Sequence, residues 1–189
     1  MSFADPYFAI TIPFDVGKAY AQAKAAEVSF FVKYLHDCMR AINAHENFKY
    51  RILDGQVVEY DRIDASTTIM REDKTFAFSR VTFNQDLSVF ASNYAAEKLR
   101  IQHSTELFPP VDSLDCIHCS VLPWFNFSGH KDASSGRVDS VPKLAFGKTY
   151  SQGDRLMMNV AISVNHALMD GYHVSLFAES FQHNLAEDL

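Results

Sequence analysis

The chain of 189 residues has few features of several large protein classes, and each gap narrows its function. It has no clustered run of Lys and Arg, and its formal net charge is -6. A nucleic-acid binder normally carries a concentrated positive face, so that class is disfavoured. The longest apolar stretches are broken by Lys, Asp, Arg or Asn within about a dozen residues, short of the ~20 that a spanning helix needs. The first residues, MSFADPYFAITIPF, lack a basic start followed by an apolar run, so no secretory signal is expected. Cysteine is scarce and odd in number (Cys38, Cys116, Cys119). That pattern predicts reduced thiols and a cytoplasmic location rather than a disulfide framework. There is no GxSxG elbow, no phosphate loop and no dinucleotide glycine pattern.

What is present suits one globular domain spanning residues 1–189. Hydrophobic residues make up 48% and charged residues 21%, enough apolar material for a packed core. Phenylalanine is abundant, at 16 residues. A large core, a subunit interface or an apolar pocket would each account for it.

The pattern along the chain mixes strands and helices. Residues 6–14 read as a strand that Pro13 confines to an edge or an end. Asp15 is a candidate cap for a helix through VGKAYAQAKAAE. A second helix is predicted over 29–44, with Phe31, Leu35, Cys38, Met39 and Ile42 on one face. Asp54-Gly55, set between two strand-like runs, predicts a tight hairpin, because that pair tolerates positive φ. Strands are expected near 64–71 and 75–83. A helix follows from about Asp86 to His103, with Leu87, Phe90, Tyr94 and Leu99 inward. Residues 104–114 and 128–141 read as loops, and 116–127 as a strand bent at Pro123. Strands at 142–150 and 155–165 join through Gln152-Gly153-Asp154, and a helix over about 171–186 ends the chain. No repeat or linker interrupts this order, so the predicted class is α+β.

The stretch VAISVNHALMDGYHVSLF carries the chemistry. His166 stands where a strand ends, Asp170 follows four residues later, and Gly171 opens the last helix. A side chain at a strand end is held by the sheet yet faces open space. A neutral imidazole there can take a proton from a hydroxyl and return it to a leaving thiolate. The bland alternative is a structural His, with Asp170 as a helix cap. Cys116-Ile117-His118-Cys119 does not make a convincing metal site, because on a strand Cys119 points away from the other two.

NHALMDGYHV resembles the HHxxxDGxH signature of the chloramphenicol acetyltransferase family. Further segments resemble that family in order: SFFVKYLHDCMRAIN, FKYRILDGQVVEYD, REDKTFAF, SVLPWFNFS and VPKLAFGKTYSQGDRLMMNVAISV. Together they cover nearly the whole chain. The resemblance implies a two-layer α+β sandwich, a mixed β-sheet flanked by helices, assembled as a homotrimer with active sites between subunits. It implies transfer of an acetyl group from acetyl-CoA, as co-substrate and without a metal, to a hydroxyl of chloramphenicol or a similar small alcohol. His166 would be the general base, with no acyl-enzyme. Asp170 would be structural. Lys148 and Tyr150 would lie near CoA, and Tyr7 and Phe8 near the acceptor pocket. Each of those four also has a plainer reading as surface or core.

The chain departs from the family pattern at several positions. Gly129 stands at the position of the family's oxyanion serine, with Ser128 one residue earlier as the candidate substitute. Asn165 replaces the first His of the signature, and Ala145 a threonine. An N-terminal Arg that pairs with the signature's Asp has no counterpart, which leaves Asp170 either unpaired or a helix cap. Two alternatives stay open: a dihydrolipoyl acyltransferase core, and a trimeric scaffold that has lost its chemistry.

Overall fold

Residues 5–111, 113–132 and 139–188 are described by a computed structural model. Its longest strand, β8 (Arg155–Asn165) in chain order, runs antiparallel to β1 (Tyr7–Asp15) on one side and to β7 (Lys143–Gln152) on the other. The sheet continues through parallel pairings to β6 (Cys116–Leu122) and β4 (Asp64–Met70), and ends at β5 (Phe76–Phe78). The strand order β1-β8-β7-β6-β4-β5 is therefore mixed. A separate hairpin pairs β2 (Tyr50–Leu53) with β3 (Gln56–Glu59).

Alternation along these strands separates two chemically different faces. Phe8, Ile10 and Ile12 share one face with Val160, Ile162 and Val164, then Leu144 and Phe146, then Ile117 and Cys119. The four helices pack on that face: α1 (Gly17–Ala25), α2 (Phe30–Ala44), α3 (Leu87–Gln102) and α4 (Gly171–Ala186). The opposite face carries Ser163, Lys143, His118 and Ser66 in register. Irregular segments, rather than helices, pass over it. The result is the expected mixed sheet with helices, in two layers.

Local chemistry explains most element ends. Asp54 and Gly55 have φ of 50° and 77°, the left-handed values that a two-residue hairpin needs. Gly153, at φ 61°, makes the β7–β8 turn. Asp86 caps α3 by accepting from the Ser88 and Val89 amides. In α2, Leu35, Cys38, Met39 and Ile42 are fully buried, while Phe31 is partly so.

Four expectations need correction, the first being the strand expected over 116–127, which ends at Leu122 rather than bending at Pro123. Asp15 does not cap α1 directly: Val16 is the cap residue, and Asp15 accepts from the Gly17 amide at 3.0 Å. Leu99 is 61% exposed, and Ile101 takes the inward place instead. The α3 stripe drifts as 3.6-residue periodicity dictates, and a spacing of five from Tyr94 turns away from the core. The second strand of the 64–83 region is shorter than expected, ending at Phe78, with Val81 bridging back to Ala65 alone. Within the predicted loop 128–141, positions 133–138 lie outside the described residues, as does position 112 of the loop 104–114.

A buried cation ties the small hairpin to the main sheet. Arg51 has no exposed surface. Its guanidinium donates to the carbonyls of Phe48, Tyr50, Leu114 and Cys116 at 2.6–2.8 Å. Burial pulls its pKa down to about 10, still far above neutrality. Arg51→Met would keep much of the volume and strand four carbonyl acceptors. It is expected to cost about 3 kcal/mol or more, since hydrogen bonds from charged donors are individually strong. Urea unfolding checks this; a loss under about 1 kcal/mol would mean that the carbonyls find other donors.

Candidate active site

His166 follows the last residue of β8 and is exposed. Its backbone amide donates to the Pro6 carbonyl at 2.8 Å, tying the end of β8 to the start of β1. The ring lies 4.9 Å, centroid to centroid, from that of Phe8 at a 53° tilt. Nδ1 is 3.2 Å from the Met169 carbonyl oxygen. A carbonyl can only accept, so Nδ1 carries the proton in this contact and the ring's lone pair is on Nε2. That is the tautomer a general base requires.

Asp170 is the N-cap of α4. Its carboxylate accepts from the Tyr172 and His173 amides at 3.0 and 3.3 Å, and its own amide donates to His173 Nδ1 at 3.2 Å. The hydrogen bonds from the His173 and Tyr172 backbone amides hold the carboxyl below the usual carboxylate range. Asp170 is exposed, so it does not carry the desolvation cost of a buried, unpaired carboxylate. Capping accounts for its place without an Arg.

The other candidates fall into two groups. Tyr7 and Phe8 lie beside His166. The Tyr7 hydroxyl donates to the Val141 carbonyl at 2.9 Å, and Lys143 Nζ sits 4.8 Å above its ring. Burial, then the Asp139 charge, pushes the Tyr7 pKa up, so this phenol stays neutral. Asp139 pairs with Lys143 at 2.8 Å.

Ser128, Lys148 and Tyr150 gather elsewhere. The FGK stretch lies at an irregularity within β7, with a register shift between Phe146 and Thr149. Gly147 suits the close approach there: a Cβ would come within 3.1 Å of both the Asn159 carbonyl and the Phe127 ring, and a neighbour would have to give way by a few tenths of an ångström. The Lys148 amide donates to the Phe125 carbonyl at 2.7 Å. Tyr150 donates its hydroxyl to Asn159 Oδ1 at 2.9 Å, and the Asn159 amide donates to the Phe127 carbonyl at 2.8 Å. Asn159 thus links Tyr150 to the segment that ends in exposed Ser128. Sequence reading missed Asn159, which carries no motif.

The two groups are far apart in one chain. Asn165 follows Asn159 by six positions along β8. At ~3.3 Å per residue their Cα atoms lie about 20 Å apart along the strand, which sets the Asn159 region well away from the end that leads into His166.

A cavity of about 470 Å³ opens on the helix-free face of the sheet. Ser66, His118, Ser120 and Lys143 form its floor, and Phe78 and Phe108 a wall. These two rings stack with centroids 5.5 Å apart. The sequence pass did not single out this cavity, though the alternation Cys116, His118, Ser120 was a signal for a polar sheet face. Among the described residues no group of three or more His, Cys, Asp or Glu could hold a metal. No helix of the described residues is long and apolar enough to cross a membrane.

The two-layer fold and a strand-end imidazole before a capped helix define a class, the CoA-dependent acyltransferases. Its wider fold is seen in the cubic core of the pyruvate dehydrogenase complex, with TM-score 0.75 over 96% of this chain and 82% of that one at 14% identity. The particular family is closer. The model of the chloramphenicol acetyltransferase family matches residues 2–182, and the chain belongs to that family. It is 28% identical to chloramphenicol acetyltransferase 2 of Escherichia coli over 178 residues, 93% of this chain and 84% of the relative. It is 25% identical to the chloramphenicol acetyltransferase of Proteus mirabilis over 184 residues, 96% and 84% of the two chains. A solved chloramphenicol acetyltransferase superposes with TM-score 0.87 at 30% identity, covering 97% of this chain and 90% of that one. The chain is accordingly an acetyl-CoA-dependent acetyltransferase.

The Asp139–Lys143 pair supplies a pH test. Burial pushes the Asp139 carboxyl up, but the Lys143 and Val141 hydrogen bonds outweigh it and leave the pKa lowered. A carboxyl depressed in the folded state contributes stability that is present above its unfolded value, near 3.9, and is lost as pH falls through the folded value. Unfolding curves of the wild type and Asp139→Asn are expected to converge as pH drops below about 4. A constant gap across that range would exclude this pair as a source of acid sensitivity.

Proposed function

We propose that the chain transfers an acetyl group from acetyl-CoA to a hydroxyl of chloramphenicol or a similar small alcohol, in a ternary complex formed between neighbouring subunits of a homotrimer. The single observation that carries this reading is the spacing of about 20 Å along β8 between Asn159, which holds the segment leading to Ser128, and Asn165, which precedes the imidazole. If both groups serve one reaction, they must come from different chains. The exposed aromatics support it: Tyr172, in the first turn of α4, is 66% exposed, and Trp124 and Phe125, just before Ser128, are 62% and 61% exposed. Large apolar side chains left bare near both groups favour burial against a second copy.

In this reading His166 of one copy faces the sheet cavity of its neighbour, where the acceptor lies against Phe78 and Phe108. Tyr7 and Phe8 support the imidazole end. Nε2 removes the hydroxyl proton as the alcohol oxygen bonds to the thioester carbonyl carbon. Negative charge develops on the former carbonyl oxygen, and the Ser128 hydroxyl donates to it. When the C–S bond breaks, the imidazolium returns the proton to the CoA thiolate. Lys148, exposed beside the bulge, meets CoA phosphates, and Tyr150 acts through Asn159 to hold the Ser128 segment. The three buried thiols suit a reducing cytoplasm.

A second reading, a trimeric scaffold without chemistry, draws support from Gly129 at the family's serine position. CoA release with chloramphenicol and a panel of small alcohols separates the two. His166→Ala is expected to lower the rate about 10²- to 10⁴-fold, and Ser128→Ala about 10²-fold or more. No heavy atom lies within 4 Å of a Cβ on Gly129, so Gly129→Ser fits sterically and is expected to restore activity to Ser128→Ala. No release above His166→Ala with any acceptor, from a protein of three chain masses by light scattering, would favour the scaffold. A monomer would overturn the shared site.

A further inference from the structure

Asn165 occupies the position of the first histidine in the family signature, and the reaction above gives it no task. It is 2% exposed, and both ends of its carboxamide are engaged. Nδ2 donates to the Asp139 carbonyl at 3.0 Å, and Oδ1 accepts from the Ala167 amide at 2.9 Å. Its backbone carbonyl accepts from the Leu168 and Met169 amides at 3.0 and 3.1 Å. This one residue therefore gathers the three amides of residues 167–169 and anchors them to the segment that leads into β7. The Met169 carbonyl is the acceptor for His166 Nδ1.

We propose that Asn165 is a positioning residue: by clamping the turn 166–169 it aims the Met169 carbonyl at Nδ1 and so selects the tautomer with its lone pair on Nε2. The proposal rests on the reading of His166 as the base. The physical requirement is a short buried side chain that both donates and accepts. A carboxamide meets it, and so does a neutral imidazole, with one ring nitrogen of each kind. Leucine, of similar size, offers neither. It would leave the Ala167 amide and the Asp139 carbonyl without their side-chain partner, and the turn could then relax. Aspartate would keep the acceptor and lose the donor.

The test reads the proton directly. In protein labelled with ¹⁵N in its histidines, NMR at about pH 8.5, above the ordinary imidazole range, shows which ring nitrogen is protonated. His166→Gln assigns the signal. The wild type is expected to show His166 protonated on Nδ1. Asn165→Leu is expected to show a mixture of tautomers, and Asn165→His to recover the wild-type form. Acetyl transfer should follow: kcat about 10- to 100-fold lower in Asn165→Leu, the usual effect of losing a group that orients a reacting ligand. KM for acetyl-CoA should stay within about twofold, and kcat should be largely recovered in Asn165→His. A proton on Nε2 in the wild type would overturn the proposal. So would a folded Asn165→Leu with an unchanged tautomer, whatever its kcat. If Asn165→Leu does not fold, Asn165→Asp takes its place with the same expected mixture. If no alcohol is acetylated, the functional reading fails, while the tautomer measurement still decides this one.

Discussion

A strand is extended and nearly rigid over its length, and β8 makes that rigidity a boundary condition for the whole molecule. One end carries His166, and the middle carries Asn159, which holds the Ser128 segment and Tyr150. Nothing within a single chain can bend the strand to bring those regions together. Trp124, Phe125 and Tyr172 stay exposed at the surface.

The sheet divides labour between its faces. Helices cover the apolar face and provide the dense packing, with Phe14, Phe146, Phe177 and Phe181 among the fully or nearly fully buried side chains. The other face is left to small and polar residues under irregular segments, where a cavity can persist without weakening the core. Gly147 shows how tight this arrangement is: the covering segment approaches so closely that even one carbon would displace Phe127 or the Asn159 carbonyl. Asn165 lies where this face meets the turn bearing His166, and its polar bonds do there what apolar packing does beneath the sheet.

Much of this was legible beforehand because it depends on short-range chemistry. Asp54-Gly55, Gly153, the Asp86 cap and the Asp170 cap each act within a few residues of themselves. The amphipathic stripe of α2 was equally plain. Leu99 falls outside the inward stripe of α3 because the 3.6-residue period drifts along the helix and brings Ile101 inward instead. The FGK stretch lies inside the predicted strand 142–150, but the irregularity at its glycine leaves no local signal. What demands that glycine is an approach by Phe127, twenty residues earlier in the chain, and no local pattern encodes such a contact.

By itself the sequence determined the kind of elements, their order, the family they belong to and the one imidazole that suits the chemistry, since motif, periodicity and turn preference all reside in neighbouring residues. Only the tertiary structure decided which groups lie together. It removed the puzzle of the Asp170 carboxylate by exposing it as a cap, joined Tyr150 to the Ser128 segment through Asn159, and opened a cavity among residues scattered from Ser66 to Lys143. Those relations depend on strand pairing between distant segments, and pairing is a property of the assembled sheet rather than of any stretch within it.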